Sequence, residues 1–171
     1  MMRIVREVTP PTGLRRVLWR LPIRLYRLGL GRFLGKRIML LTHTGRVSGQ
    51  RRRAVIEVIE HDETGCVAAS GFGQRADWYR NVMATPEVTI QIGGRAFPAT
   101  AGAVPADEGA RIMERYAPRR PAAARQLCKI MGFEVDGSAE DYREVGRRIP
   151  FVRFTRSERL TRSERLTRPE P

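Results

Sequence analysis

Short apolar or alternating segments, separated by turns that contain glycine, follow one another through the middle of the chain. Short apolar runs indicate buried strands, and alternation of apolar with polar residues indicates strands with one buried face. The predicted strands are 38–44, 53–60, 66–69, 88–92, 96–104 and 149–154. Tight turns such as Gly93-Gly94 favour antiparallel pairing, and Pro150 makes the last segment a predicted edge strand. The sequence therefore predicts an α+β, mainly β fold with about six mostly antiparallel strands.

The first part of the chain carries most of the positive charge. The formal net charge is +14, and residues 1–37 hold ten Arg or Lys residues against the single acid Glu7. From Thr12, a residue suited to a helix N-cap, leucines recur on one stripe and arginines on the opposite side, which predicts a basic amphipathic helix over 12–34. An anionic membrane surface, a barrel face or a partner subunit could bind this helix. Nucleic acid is not expected, because no nucleic-acid-binding motif accompanies the arginines.

The chain divides into four predicted parts. They are a flexible arm at 1–11, the basic amphipathic helix at 12–37, a barrel-forming domain at 38–154 and a mobile tail at 155–171. The tail contains the sequence TRSERL twice, which is too short a repeat for a solenoid. Three further helices are predicted, at 76–83, from 105 to about 116, and at 120–131.

Composition argues against several classes of protein. No apolar run approaches the ~20 residues of a membrane-spanning helix, and the N-terminal region lacks the features of a secretory signal. Cys66 and Cys128 form no CxxC pair, so free thiols in a reducing cytoplasm are expected, with one structural disulfide as the alternative. No cluster of ligands has metal-site spacing, so no metal is predicted. The expected location is the cytoplasm, peripheral to the inner face of the membrane if the basic helix binds there.

The turn between the first two strands is the strongest candidate for ligand binding. It reads TGRVSGQRR from Thr44 to Arg52. Its glycines can bring backbone N–H groups close to a ligand, and the Thr44 and Ser48 hydroxyls can donate to phosphate oxygens. Arg46, Arg51 and Arg52 supply fork-shaped donors for phosphate or carboxylate. An ordinary polar hairpin with solvated arginines is the alternative.

A second candidate region follows the third strand. Residues 68–73 read AASGFG, a small-residue loop against which a planar ring could lie. The loop leads into a short helix that bears Trp78, Tyr79 and Asn81. Packing into the core is the alternative role for both aromatic residues.

These motifs occur in a particular order along the chain: LLTHTGRVSGQRR, VAASGFG, DWYRNV, ATPEVTIQI and RRIPFVRF, within about residues 25–154. In this order they resemble the deazaflavin-dependent nitroreductase family, split β-barrel proteins related to FMN-binding barrels. The resemblance implies a split β-barrel, a homodimer, and coenzyme F420 as the cofactor, with FMN possible. It also implies a reductase that transfers hydride from the deazaflavin C5 to a quinone, a nitroaromatic compound or an activated C=C bond.

The resemblance further implies which residues contact the cofactor. The turn would hold its phosphate and acidic tail, the small-residue loop would line the ring, and the short helix would close the pocket. The implied cofactor-binding residues are Thr44, Gly45, Arg46, Ser48, Arg51, Arg52, Ala68, Ala69, Ser70, Gly71, Trp78, Tyr79 and Asn81. Tyr116 is the candidate proton donor, because a phenol can donate a proton at neutral pH, and a structural tyrosine is the alternative.

The chain departs from the family pattern at several positions. Gly71 stands where a Lys is usual, which removes a possible cofactor contact, and Val55 and Ala76 stand where prolines are common. Of the tyrosines expected after the fifth strand, Tyr116 is kept. The missing Lys at Gly71 and the missing tyrosines leave a second class open: a non-catalytic carrier that binds haem, a tetrapyrrole or a fatty acid in the same barrel. His43, in mid-strand, is interpreted as structural or barrel-lining rather than as a base or a ligand.

Overall fold

The computed structural model describes residues 3–4 and 37–157, and six of its strands close into a barrel. The strands are β1 (Arg3–Ile4), β2 (Ile38–Thr44), β3 (Arg51–His61), β4 (Gly65–Ala69), β5 (Glu87–Ile92), β6 (Arg95–Ala103), β7 (Phe133–Glu134) and β8 (Phe151–Arg156). The barrel order is β2-β3-β4-β8-β6-β5, and each neighbouring pair is antiparallel. β1 pairs with β7 outside the barrel. The predicted fold class is therefore confirmed.

Four helices lie in the described part of the chain. They are α1 (Asp77–Ala84), α2 (Ala106–Arg119), α3 (Pro121–Ile130) and α4 (Ala139–Arg148). The sequence prediction lacks α4, although its signals are present. The Ser138 hydroxyl caps the helix by accepting the Asp141 N–H at 3.2 Å, acids occupy the first turn, and arginines occupy the last turn.

The barrel wall separates two apolar clusters. Met39, Leu41 and Phe154 belong to the cluster inside the barrel, whereas Ile112 and Val145 belong to the cluster between the wall and the helices. Because successive strand residues point to opposite faces, β8 supplies both clusters, with Phe151 outside and Val152 and Phe154 inside. This double burial explains why β8 begins with two consecutive apolar residues, Phe151 and Val152.

Helices α2 and α4 pack with their backbones in close contact. A Cβ atom at Gly146 would lie 2.5 Å from the carbonyl oxygen of Gly109, and one at Gly109 would lie 2.5 Å from the carbonyl oxygen of Gly146. Only glycine fits at such a distance. The pair of glycines therefore sets the position of α2 against the barrel.

Two element predictions need correction. β8 is not an edge strand, because it pairs with β4 on one side and β6 on the other. Pro150 is compatible with this position because it precedes the strand, where its missing N–H costs no ladder bond, and its carbonyl accepts the Ser70 N–H at 2.8 Å. Helix α2 also extends beyond the predicted end near Tyr116, through Pro118 to Arg119.

Some predicted elements lie outside the described residues. These are the basic helix over 12–34 and the tail beyond residue 157. Within the predicted arm at 1–11, Arg3–Ile4 is described and pairs with Phe133–Glu134. None of the helices in the described ranges has both the length and the apolar character needed to cross a membrane.

Candidate functional site

The turn between β2 and β3 is closed by its own hydrogen bonds. The Gly45 N–H donates to the Gln50 carbonyl and the Gly49 N–H donates to the Gly45 carbonyl, each at 2.8 Å. Gly49 has a φ of 64°, in the left-handed region that favours glycine. A Cβ atom at Gly45 would meet the Ser48 Oγ at 3.0 Å. These hydrogen bonds and close contacts fix the backbone conformation of the turn.

Arg46 joins this turn to α1. Its backbone N–H and its Nη1 both donate to the Asn81 Oδ1, at 3.1 and 3.0 Å, and Nη1 also donates to the Asp77 Oδ1 at 3.2 Å. The Asp77 side chain is 74% exposed, so this ion pair contributes at most about 1 kcal/mol. The bonds to the buried Asn81 are the stronger link. The guanidinium predicted to contact the cofactor tail therefore also positions the turn.

His43 completes the link on the other side of Asn81. Both side chains are buried, and the Asn81 Nδ2 lies 3.2 Å from the His43 Nδ1. Burial is the main cause that lowers the pKa of His43 below 6.5, and the nearby Arg52 acts in the same direction. A neutral ring can accept the Asn81 N–H at Nδ1, which directs the Asn81 Oδ1 towards Arg46. The sequence shows neither this contact nor the role of Asp77.

The other polar residues of the turn are open to solvent. The Ser48 Oγ accepts the Gln50 N–H at 3.3 Å and an Arg52 guanidinium N–H at 3.4 Å. Arg51 and Arg52 are exposed, and Thr44 is half-buried. Neither arginine has a carboxylate partner among the residues that the structure describes. Their charge and geometry fit the phosphate and carboxylates of an acidic ligand.

Most of the residues predicted to line the cofactor ring, at the end of β4 and in the loop after it, are buried. Ala68 and Ala69 lie within β4, Ser70 begins the loop, and all three are buried. The Ser70 hydroxyl donates to the Gly73 carbonyl at 2.6 Å. At Gly71, which is half-buried, a Cβ atom would have Ile130 Cγ2, at 3.9 Å, as its nearest neighbour. A ring in this region would therefore meet Gly71 and the residues after it, and the usual lysine would fit there.

The two aromatic residues of α1 pack partly into the barrel. Trp78 and Tyr79 are half-buried against the interior cluster, with their rings edge-to-face at a centroid distance of 6.1 Å. The Trp78 ring also lies 6.5 Å from that of Phe154. Both rings contribute to the core. Their accessible parts lie on α1, the helix whose Asp77 and Asn81 bind Arg46.

Tyr116 lies away from the turn. It is buried, and its hydroxyl donates to the Glu57 Oε1 at 3.2 Å. Burial, followed by the Glu57 carboxylate, raises the pKa of Tyr116 to about 12. Glu57 pairs with Ile38, whereas the turn follows Thr44, six residues along β2 and roughly 20 Å away at the rise of a strand. The structure therefore does not bring the candidate proton donor together with the turn.

The potential metal ligands and the two cysteines of the described ranges do not form a reactive site. No group of three or more His, Cys, Asp or Glu residues within them could hold a metal ion. Cys66 and Cys128 are both free and buried. Burial raises the pKa of the Cys66 thiol to about 12 and that of the Cys128 thiol to about 11, so both thiols are neutral.

Comparison with known proteins identifies the family. The family model described as F420H(2)-dependent quinone reductase matches residues 21–129. This chain belongs to that family. A Mycobacterium tuberculosis protein, Rv3178, provisionally named as an F420H(2)-dependent quinone reductase, is 36% identical over 91 residues, which cover 52% of this chain and 76% of that protein.

Solved structures similar to this quinone reductase family member support its fold. One, described as a domain-swapped dimer, has a TM-score of 0.51 at 19% identity, covering 83% of this chain and 99% of that one. Another, the haem storage protein HutZ from Vibrio cholerae, has a TM-score of 0.50 at 11% identity, covering 78% and 89%. The split β-barrel is thereby confirmed. Family membership makes the chain an F420H2-dependent oxidoreductase, and it supports F420 but not FMN as the cofactor.

Proposed function

We propose that this chain holds F420H2 at the β2–β3 turn and reduces a small electron-poor acceptor. One observation carries the proposal: the turn presents Ser48, Arg51 and Arg52 together, and Arg46, Asn81 and His43 tie it to α1. The donor set suits the phosphate and tail carboxylates that the cofactor contributes. A charged tail fixed at one end restricts where the ring can lie, and such positioning assists the reaction.

Each part of the site has a distinct task in this proposal. Arg51, Arg52 and the Thr44 and Ser48 hydroxyls bind the anionic groups, and Arg46 orients the turn while adding positive charge. When bound, the reduced deazaflavin supplies a hydride from its C5. The accessible parts of Trp78 and Tyr79 would shield the bound ring from water, and Gly71 and the residues after it would contact the ring.

A quinone is the acceptor that the family description favours. The name of the matching family supports this choice, and the provisional name of Rv3178 agrees with it. Nitroaromatic compounds and activated C=C bonds are the other acceptors to assay. Oxidation of F420H2 by menadione, by a nitroaromatic compound and by an enone, compared at equal concentrations, would rank the three classes.

Cofactor titration tests the role of the turn. We expect the protein to quench F420 fluorescence, and Arg51→Ala and Arg52→Ala each to weaken binding by roughly tenfold or more, the effect of one charge-assisted hydrogen bond. Arg80→Ala is the matched control, because Arg80 is exposed on α1 and its loss changes the charge equally. Equal losses in all three variants would contradict the assignment. A protein that ignores F420 but retains haem or a fatty acid would instead be the carrier.

We also propose that the protein forms a homodimer. The domain-swapped dimer among its structural neighbours supports this, as does Val47, an apolar residue that is 90% exposed at the tip of the turn. Light scattering after size exclusion should give twice the mass of the chain. Val47→Asp should shift the equilibrium towards monomer if the turn takes part in the interface.

A further inference from the structure

A cavity of about 450 Å³ opens between the β3–β4 hairpin and the end of α2. Arg37, which immediately precedes β2, and Tyr116 form parts of its wall, so it lies at the opposite end of the β2–β3 hairpin from the Thr44–Arg52 turn. A volume of this size is typical of small-molecule sites. None of the residues predicted to bind the cofactor lines it. The cavity is therefore separate from the cofactor turn.

The floor of this cavity is apolar. Ile59 and Val67, of the cluster between the barrel wall and the helices, line it and are buried, and Val58 and Phe154, of the cluster inside the barrel, line it as well. Cys66 lies among them with a neutral thiol, because burial raises its pKa to about 12. Such a floor favours a ring or another compact hydrocarbon body over a fully hydrated ion.

The rim of the cavity is basic. Among the described residues that line it are two carboxylates, Glu60 and Asp62, and five arginines: Arg37, Arg115, Arg119, Arg120 and Arg153. Arg115 donates to both Glu60 oxygens at 3.0 Å. Arg153 donates to Glu108, and Arg37 donates to Glu57 at 3.4 Å. Three of the five arginines are therefore already paired with carboxylates.

Arg119 and Arg120 are the remaining two. Neither has a carboxylate partner within the described ranges, and both are exposed at the end of α2. Arg119 is the last residue of α2, where a cation interacts favourably with the helix dipole, so a purely structural role is the competing explanation for Arg119; Arg120 also precedes the first residue of α3, where a cation gains no such stabilisation. Adjacent guanidinium groups can bind a carboxylate or a phosphate bidentately and can stack on an aromatic ring.

We propose that this cavity binds a small aromatic anion, either a carboxylate or a phosphate monoester. Its ring lies against Ile59 and Val67, on the side of the barrel wall that faces α2, and its charged group is held by Arg119 and Arg120. The inference goes beyond the proposed function, because none of the cofactor-binding residues takes part and binding needs no reduction step.

Calorimetric titration of the F420-free protein tests the proposal with three probes of similar shape. These are 2-naphthoate, 2-naphthyl phosphate and the neutral 2-naphthamide. We expect at least one anion to bind at least about tenfold more tightly than the amide, with an affinity that falls as salt is added. The stronger of the two anions identifies the charged group. Equal binding of all three probes, or no binding, would overturn the proposal.

Variants separate ligand binding from helix stabilisation. Arg119→Ala and Arg120→Ala should each weaken anion binding by roughly tenfold or more, and Arg120→Lys should lose less because it keeps the charge. Arg111→Ala removes an exposed charge from the same helix but does not line the cavity, so it should bind like the wild type. If all three alanine variants bind equally, or if Arg119→Ala and Arg120→Ala lower only the melting temperature, the arginines are structural.

A gain in affinity provides a test that misfolding cannot imitate. Glu60→Gln removes one of the two carboxylates from the rim and releases Arg115 from its bidentate pair. We expect this variant to bind 2-naphthoate several-fold more tightly. Unchanged or weaker binding in a folded variant would contradict the placement of the anion at this rim. F420 titration of the same variants should be unaffected, so failure here is distinguishable from failure of the proposed function.

Discussion

The two ends of the β2–β3 hairpin are held in place by different means. At the turn, the Asn81 Oδ1 accepts hydrogen bonds from Arg46 and the Asn81 Nδ2 lies beside the His43 Nδ1, so one buried amide fixes the geometry. At the opposite end, the cavity wall depends on α2, whose position is set by backbone contact with α4 at Gly146. The cofactor turn therefore depends on a polar network, whereas the cavity whose rim carries Arg119 and Arg120 (the arginine cavity) depends on the packing of the helix layer.

Gly146→Val should separate the two ends most clearly. Its side chain would have to displace the backbone of Gly109, which lies 2.5 Å from the Cβ position. We expect a loss of about 3 kcal/mol in the free energy of unfolding, at the upper end for an overpacked site, measured by urea denaturation. Binding of 2-naphthoate should fall more than binding of F420. Gly102→Val is the control, because nothing lies within 4 Å of a Cβ atom there. An equal loss of affinity for 2-naphthoate and for F420 would contradict the view that only the cavity depends on the packing of α2 against α4.

Asn81→Leu should affect the other end. It leaves the Arg46 N–H and the buried His43 Nδ1 without partners, which should cost about 2 kcal/mol of stability. We expect F420 affinity to fall while 2-naphthoate binding persists. Met83→Ala, at an exposed position of the same helix, should change neither. An unchanged F420 affinity in Asn81→Leu would show that the turn needs no support from α1.

The turn and the cavity also differ in how far a sequence can predict them. The turn residues are contiguous, and glycine, hydroxyl and arginine at close spacing indicate anion binding before any fold is known. The barrel strands can also be predicted from the sequence, because each is a short segment with a strand pattern. The prediction of β2 agrees with the structure at both ends, Ile38 and Thr44.

The cavity could not be predicted in the same way. Its arginines come from the start of β2, the end of α2 and β8, which are distant in sequence and meet only after the barrel has closed. Their charge is also partly cancelled by Glu57, Glu60 and Glu108, and no pattern along the chain reveals those pairs. Burial of Ser70 and the link between His43 and Asn81 likewise depend on tertiary contacts rather than on local propensity.

Tyr116→Phe should have a smaller effect on stability. It also tests whether the acceptor is reduced at the Tyr116 end of the β2–β3 hairpin. The hydroxyl already donates to Glu57, so its removal should cost about 1 kcal/mol of stability. With the pKa raised to about 12 and the hydroxyl oriented towards a carboxylate, we expect little change in kcat for menadione reduction. Loss of a true general acid would lower kcat by about a hundredfold or more, which would place the acceptor at this end of the hairpin.

The smallest expected effect is a dependence of the turn on pH through His43. The ordinary pKa of 6.5 applies to the unfolded chain, and burial lowers the folded value. Above pH 6.5 the ring is neutral in both states and its full contribution to stability is present. As the pH falls below 6.5, the unfolded state takes up the proton first, so stability declines until the folded pKa is reached. Protonation would also turn the Nδ1 acceptor into a donor and oppose the Asn81 amide.

Urea midpoints and F420 affinities at pH 7.5, 6.0 and 5.0 measure this dependence. His43→Gln keeps a polar side chain that does not titrate, so its profile should be flatter than that of the wild type over this range. His61→Gln is the control, because His61 is exposed at the end of β3 beside the arginine cavity and should leave the profile of F420 affinity unchanged. Carboxylates whose pKa is lowered, such as Glu144, contribute equally to all three proteins and cancel. If His61→Gln flattened the profile instead, the pH sensitivity would belong to the cavity end, and the polar network at the turn would not be what supports cofactor binding.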